Sequence, residues 1–162
     1  KPGEPKFDLI QINKPVEDAL NLTAVTLRKS GIEIQKNLAE NLPVCYADPH
    51  LIEEAVLNLL NNAAEAMRKM DTDKNITVKT GVKGNHLFIT ISDSGPGVPM
   101  KLRNKVFYPF YTTKTDGTGI GLSICHRIIT DHKGVLGISK SALGGAEFRL
   151  KIPIGKGVFP SD

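Results

Sequence analysis

The chain has 162 residues, of which 40% are hydrophobic and 23% charged, with a formal net charge of +4. That length favours one domain with a full hydrophobic core, and the composition describes a folded globular chain rather than a disordered one. Scattered lysines and few aromatics disfavour nucleic-acid binding, no apolar run approaches a membrane span, and "KPGEPKFDL" at the start has no apolar signal region pointing to export.

"FDLIQIN" (7–13) alternates weakly and predicts a short strand after a Pro/Gly-bearing lead-in. "PVEDALNLTAVTLRKSG" (15–31) puts Val16, Ala19, Leu20, Thr23 and Leu27 on one helical face, with Asn13 as cap and Gly31 as stop. "IEIQKNL" (32–38) alternates as an edge strand does, and "VCYA" (44–47) reads as a short buried strand. A second helix follows over 48–70, opened by Asp48 as cap and Pro49 at the first helical position. Its apolar stripe is Leu51, Ala55, Leu59, Ala63 and Ala66.

"NITVKTGVKGNHLFITISDSG" (75–95) predicts a hairpin turning near Lys83 to Asn85. Residues 93–119 are rich in proline and glycine and lack a steady period, which predicts a long functional or mobile loop. "IGLSICHRIITDHKG" (120–134) predicts a helix with Leu122, Cys125, Ile128 and Ile129 inward and Gly134 as stop. "VLGIS" (135–139) and "AEFRLKIPI" (146–154) predict two closing strands. The order implies an α+β fold: a two-layer α/β sandwich with a mixed, mostly antiparallel sheet of about five strands and three helices on one face. Cys45 and Cys125, far apart and outside any CxxC pattern, are expected as buried reduced thiols.

Three constellations carry candidate chemistry. "TKTDGTGIGLS" (113–123) matches neither G-x-G-x-x-G, since position 122 is Leu, nor the P-loop pattern. Glycines feeding a helix amino end still make an anion site, because free N–H groups and the helix dipole face the ligand. Lys114 adds a point charge there; an ordinary flexible loop is the alternative. On the second helix Glu54, Asn58, Asn62 and Ala66 are spaced by four and share one side. Asn58, Asn61 and Asn62 are mediocre helix formers, and an amide oxygen is a hard neutral ligand suited to Mg²⁺; a solvated face is the alternative. In "SDSGPGVP" (92–99), Asp93 closes an apolar strand ahead of Gly95 and Gly97. Its carboxylate can accept from an exocyclic amine such as adenine's, and a plain turn is the alternative.

In combination the signal becomes specific. Asn58-Leu-Leu-Asn-Asn62-Ala, Asp93-x-Gly95-x-Gly97, Phe107-x-Pro-Phe110 and Gly117-x-Gly119-x-Gly121, in this order, resemble the N, G1, F and G2 boxes of the GHKL (Bergerat) ATP-binding fold. "VFYPFYTTKTDGTGIGLSICHRIITDHKG" is similar to the catalytic domain of two-component sensor histidine kinases, and "NNAAEAM" to their nitrogen-regulation branch. The resemblance covers roughly 7–154, leaving 1–6 as a linker from an upstream domain and 155–162 as a tail. Lys1 in place of Met fits a piece of a longer protein.

The resemblance implies ATP and Mg²⁺ as ligands. Asn62 would coordinate the metal and Asn58 would support the metal shell or phosphates, with Lys114 completing the catalytic set. Nucleotide contacts would come from Asn58, Asn62, Asp93, Gly95, Gly97, Val98, Phe110, Lys114, Gly117, Thr118, Gly119, Gly121 and Leu122, with Phe107 and Phe110 as aromatic anchors of an ATP lid. Hydrolytic relatives carry a base-acting glutamate where this chain has Asn58, which lacks a proton-accepting carboxylate, so ATP is expected to be held rather than wasted. Two departures stand out. Relatives have Thr in "GT.F" where this chain reads "GGAEF" with Ala146, and Glu65 replaces a frequent phosphate-facing base. None of His50, His86, His126 and His132 precedes an acidic residue as a phosphoacceptor would, so all four are expected to be structural.

The expected function is a protein-histidine kinase's catalytic domain, presenting Mg-ATP to a histidine on a missing helical dimerisation domain, with onward transfer to a response-regulator aspartate. The fragment is expected to be monomeric and the parent homodimeric, cytoplasmic at this domain whether or not the parent is membrane-anchored. The rivals are an anti-sigma-type serine kinase of the same fold, a degenerate interaction module, and a weakly basic nucleic-acid binder.

Overall fold

The computed structural model describes residues 4–107 and 120–154, with the backbone alone for Phe107, Ile120 and Gly121. Its strands are β1 (Asp8–Ile10), β2 (Ile32–Asn37), β3 (Cys45–Ala47), β4 (Lys74–Lys83), β5 (His86–Asp93), β6 (Val135–Lys140) and β7 (Ala146–Pro153). Its helices are α1 (Asn13–Lys29), α2 (Pro49–Met67) and α3 (Ile120–Asp131).

α1 buries all five residues predicted for its inner face, Val16, Ala19, Leu20, Thr23 and Leu27, together with Pro15. Asn13 is not its cap. Ile12 stands at that position with helical dihedrals, and Asn13 lies within the first turn. The Asn13 amide instead donates to the Ala39 carbonyl at 2.8 Å and accepts from the Thr80 hydroxyl at 2.8 Å. Tertiary partners outcompeted the local N–H groups for this side chain. The helix ends as expected at Gly31, whose φ of 78° is the left-handed geometry glycine adopts freely.

α2 begins as predicted: the Asp48 carboxylate accepts from the His50 and Leu51 N–H groups at 3.0 and 3.1 Å, with Pro49 in the first turn. Its buried stripe is broader than the predicted one, comprising Ile52, Ala55, Val56, Leu59, Leu60, Ala63 and Met67. Leu51 and Ala66 sit at its margin, half-buried. α3 stops before Gly134. The left-handed residue is Lys133 (φ 61°), and the Gly134 N–H donates to the Ile129 carbonyl at 2.9 Å. Gly134 is needed for a second reason: a Cβ there would collide with the Lys151 carbonyl of β7.

The main sheet has the order β2-β4-β5-β7-β6. β2 runs parallel to β4, and all other pairs are antiparallel. β2 is an edge strand, as its pattern predicted, and β4 and β5 turn through Gly84 and Asn85. β1 and β3 do not join this sheet but pair with each other as a two-stranded ribbon. Alternate strand residues, among them Ile76, Val78, Leu87, Ile89, Ile91, Phe148, Leu150 and Ile152, share one core with the inner faces of α1, α2 and α3. That is the predicted two-layer sandwich with a mixed sheet of five strands. On the opposite face the Phe88 ring lies over Gly81, where a Cβ would fall 2.5 Å from its Cζ, and Arg149 sits 5.2 Å from the ring centre.

Candidate nucleotide site

The site starts where β5 ends. Asp93 pairs in register with Ile76 of β4 and is 2% exposed. Its Oδ1 accepts from the Gly95 N–H at 2.9 Å and the Ala146 N–H at 3.1 Å. Its backbone carbonyl accepts from the Gly145 N–H at 3.1 Å. Hydrogen bonds to a carboxylate are the strong kind, and two on one oxygen fix the carboxyl plane. The following residue is pinned as well: the Ser94 N–H donates to the Asn75 carbonyl at 3.1 Å, and its hydroxyl accepts from the Asn75 N–H at 2.9 Å.

This turn lies against the last turn of α2. A Cβ on Gly95 would fall 3.3 Å from Met67 Cγ and 3.6 Å from Ala66 Cβ. Ala66 belongs to the same helix side as Asn62 and Asn58, so the asparagine face leads directly to the Asp93 turn. At 1.5 Å per residue, Asn62 is about 6 Å and Asn58 about 12 Å from Ala66 along the helix axis. Both are half-buried, whereas Glu54, Asn61 and Glu65 are exposed. The structure thus brings the second and third constellations together. Gly97 adopts φ 80° and rests near the Gly145 carbonyl, and Val98 packs half-buried on the core. The Val98 carbonyl accepts from Arg103 Nε at 3.2 Å.

The predicted long loop holds two 3-10 turns, Met100–Leu102 and Lys105–Phe107, and the second packs against α3. Phe110, Lys114, Gly117, Thr118 and Gly119 lie outside the described residues, as does the side chain of Phe107. Gly121 lies in the first turn of α3, and Leu122, one residue on, is half-buried against the core. A groove of about 670 Å³ between α1, β2 and β4 contains none of the predicted site residues.

Sequence reasoning flagged Ala146 only as a departure from the Thr of relatives and missed Gly145 as a builder of the site; the signal for Gly145 was a pair of glycines ahead of a strand. It expected His132 to be structural, and the geometry shows how. His132 Nδ1 donates to the Ile128 carbonyl at 2.8 Å, while Nε2 accepts from the Asp48 N–H at 3.0 Å. Burial holds its pKa below the ordinary imidazole value. Cys45 and Cys125 are buried free thiols, pushed by burial to about 11 and about 12, so neither is a nucleophile at neutral pH.

A buried carboxylate at a strand end, beside a helix face of half-buried amides and a glycine-led helix start, defines a nucleotide-binding two-layer sandwich. The family model described as histidine kinase-, DNA gyrase B-, and HSP90-like ATPase matches residues 47–156, and the chain belongs to that family. It is 31% identical over 155 residues to the C4-dicarboxylate transport sensor protein DctS of Rhodobacter capsulatus, covering 95% of this chain and 24% of that protein. The chain therefore spans about a quarter of that relative's length. The catalytic domain of histidine kinase ThkA superposes with a TM-score of 0.84 at 29% identity, covering 95% of this chain and 99% of that one. ThkA solved with the response regulator protein TrrA gives a TM-score of 0.78 at 27% identity, over 92% of this chain and 42% of that one. The fold and the ATP-binding class expected from the four boxes are those of the histidine-kinase catalytic domain.

Proposed function

We propose that this domain positions Mg-ATP for transfer of the γ-phosphoryl to a histidine on a separate helical dimerisation domain, and that a response-regulator aspartate receives it next. The observation that supports the reading is the placement of Gly95, whose ideal Cβ would fall 3.6 Å from Ala66 Cβ, beside the helix side that carries Asn58 and Asn62. The donor set fits the ligand. Asp93 is an acceptor held rigid by backbone N–H groups, suited to an amine on a flat base, and neutral amide oxygens suit a metal that rides on phosphates. Asn62 is the proposed ligand of Mg²⁺, with Asn58 beside it. When bound, the metal neutralises charge on the phosphates and orients them.

The chain's own residues position and do little covalent chemistry. Asp93 accepts from the base, Gly95 and Gly97 let the backbone pass beneath it, and Val98 and Leu122 complete the apolar wall. Phe110, Lys114, Gly117, Thr118, Gly119 and Gly121 are proposed to close over the phosphates. Asn58 offers no base for water attack, which favours retention of ATP until an imidazole arrives. Response-regulator transfer is supported by ThkA's having been solved with TrrA, and a dimeric parent by the need for an external histidine. The working compartment is proposed as the cytoplasm, and the body of the domain as 7–154.

Calorimetry with ADP, with and without Mg²⁺, tests the reading on the wild-type chain. The expected result is binding that strengthens with Mg²⁺; absence of heat in both conditions overturns it and favours a degenerate interaction module.

A further inference from the structure

The β6–β7 turn, residues 141–145, ends on the site rather than at the surface. The Gly145 carbonyl accepts from the Ser141 N–H at 2.8 Å, and the Leu143 N–H donates to the Ser141 hydroxyl at 2.9 Å. Ser141 is 3% exposed, so the turn is anchored at its base. Gly144 takes φ 102°, and the next two residues both reach Asp93: the Gly145 N–H binds its carbonyl and the Ala146 N–H binds its Oδ1. The approach is too close for a side chain. A Cβ on Gly145 would collide with Asp93 Oδ1, and would stand 2.5 Å from the Gly95 nitrogen and 2.7 Å from the Asp93 carbonyl oxygen. Real Cβ atoms do not tolerate such distances, and all three neighbours are backbone or a doubly bonded carboxylate. None can swing aside as the tip of a flexible side chain would. Gly97 packs on the same residue, its ideal Cβ 3.5 Å from the Gly145 carbonyl oxygen. Gly145 therefore lies against Asp93, Gly95 and Gly97 at once.

We propose that Gly145 is a positioning and base-specificity residue: its missing side chain lets the β6–β7 turn clamp the Asp93 carboxyl in the one orientation that discriminates an exocyclic amine from a carbonyl on the bound purine. Ala146 takes part through its backbone N–H, so a hydroxyl at that position is not required for this clamp. The inference rests on the nucleotide reading above. An amine donates to a fixed carboxylate; hypoxanthine, with a carbonyl at the same ring position, sets two acceptors face to face. Discrimination of this kind depends on the acceptor's being held in place, because a carboxyl free to rotate would turn away from the wrong base.

The test compares Mg-ADP with Mg-IDP by calorimetry on the wild-type chain, Gly145→Ala and Gly137→Ala. Gly137 is a β6 glycine with nothing within 4 Å of its ideal Cβ, and serves as the control. Wild type and Gly137→Ala are expected to favour ADP by roughly tenfold or more, the worth of one hydrogen bond to a charged group. Gly145→Ala is expected to bring the two affinities within about threefold by weakening ADP while leaving IDP nearly unchanged. A purely structural role would instead weaken both nucleotides in parallel and lower the melting temperature. Should Gly145→Ala not melt cooperatively, Ala146→Pro removes one N–H to Asp93 without adding a Cβ at 145, and the same narrowing is expected. An unchanged ADP preference in either folded variant overturns the inference, as does loss of cooperative melting in both. A wild type that binds neither nucleotide overturns the underlying reading instead, and a wild type that binds both equally overturns the assignment of Asp93.

Discussion

The two ends of the proposed nucleotide site are built from different material. At the proposed base end, Asp93 is buried and hydrogen-bonded to the backbone of its own turn and of the start of β7, so the proposed recognition group is also a structural joint. At the other end, Asn58 and Asn62 project half-buried from a helix anchored by a separate buried stripe. Substitution should therefore disturb fold and binding together at the first end, and binding more than fold at the second. The contrast is physical: strand termini are fixed by long-range hydrogen bonds, whereas a helix carries its own backbone bonds and lends its surface to function.

The largest effect is expected at Asp93. Asp93→Ala strips the acceptor from two N–H groups, each costing about 1–3 kcal/mol when left unsatisfied, in addition to the lost contact with the base. ADP affinity should fall by about a hundredfold or more, with a lower melting temperature. Asp93→Asn keeps one acceptor oxygen and should lose affinity with a smaller change in melting. Equal melting of wild type and Asp93→Ala would break the distinction between the two ends. Asn62→Ala comes next. It should abolish the strengthening of ADP binding by Mg²⁺, about tenfold in affinity, with a smaller change in melting temperature than Asp93→Ala. A variant that still responds to Mg²⁺ removes Asn62 as the ligand.

The smallest effect is expected at His132, which joins the end of α3 to the cap of α2 and is not among the proposed nucleotide-binding residues. Its folded-state pKa is lowered by burial, outweighing the hydrogen bond to the Ile128 carbonyl and the charges of Asp48 and Asp131. The unfolded chain therefore takes up the proton first as pH falls. The stability that neutral His132 contributes is full above about 6.5 and declines as pH drops below that value. Urea midpoints measured from pH 7 to pH 5 should fall for wild type and stay flatter for His132→Gln, without a change in ADP affinity at pH 7. Parallel curves for the two proteins would remove His132 as the source of the slope.

Much of this molecule was legible because its signals are local. Asp48 and Pro49 announced α2, Gly31 ended α1, and the inner face of α1 came out residue for residue. The four-residue spacing of Asn58, Asn62 and Ala66 placed them on one helix side, and the ordered boxes fixed the family before any distance was known. Where local and distant partners competed, local reading failed. Asn13 gave up the cap for Ala39 and Thr80, and Lys133 rather than Gly134 took the left-handed turn. Residues 8–10 form the short strand expected of them, and its partner, β3, came only with the structure.

The chain's own order of residues settled the class of fold, the Asp48 cap of α2, the asparagine face and the strand-end carboxylate, since each depends on dihedral preference or on spacing within a few turns. Only the folded arrangement decided the strand order, the parallel pairing of β2 with β4, and the seating of Gly145 against Asp93. Those features join segments distant in the chain, and a glycine's role there lies in which atoms occupy the space its side chain would have filled.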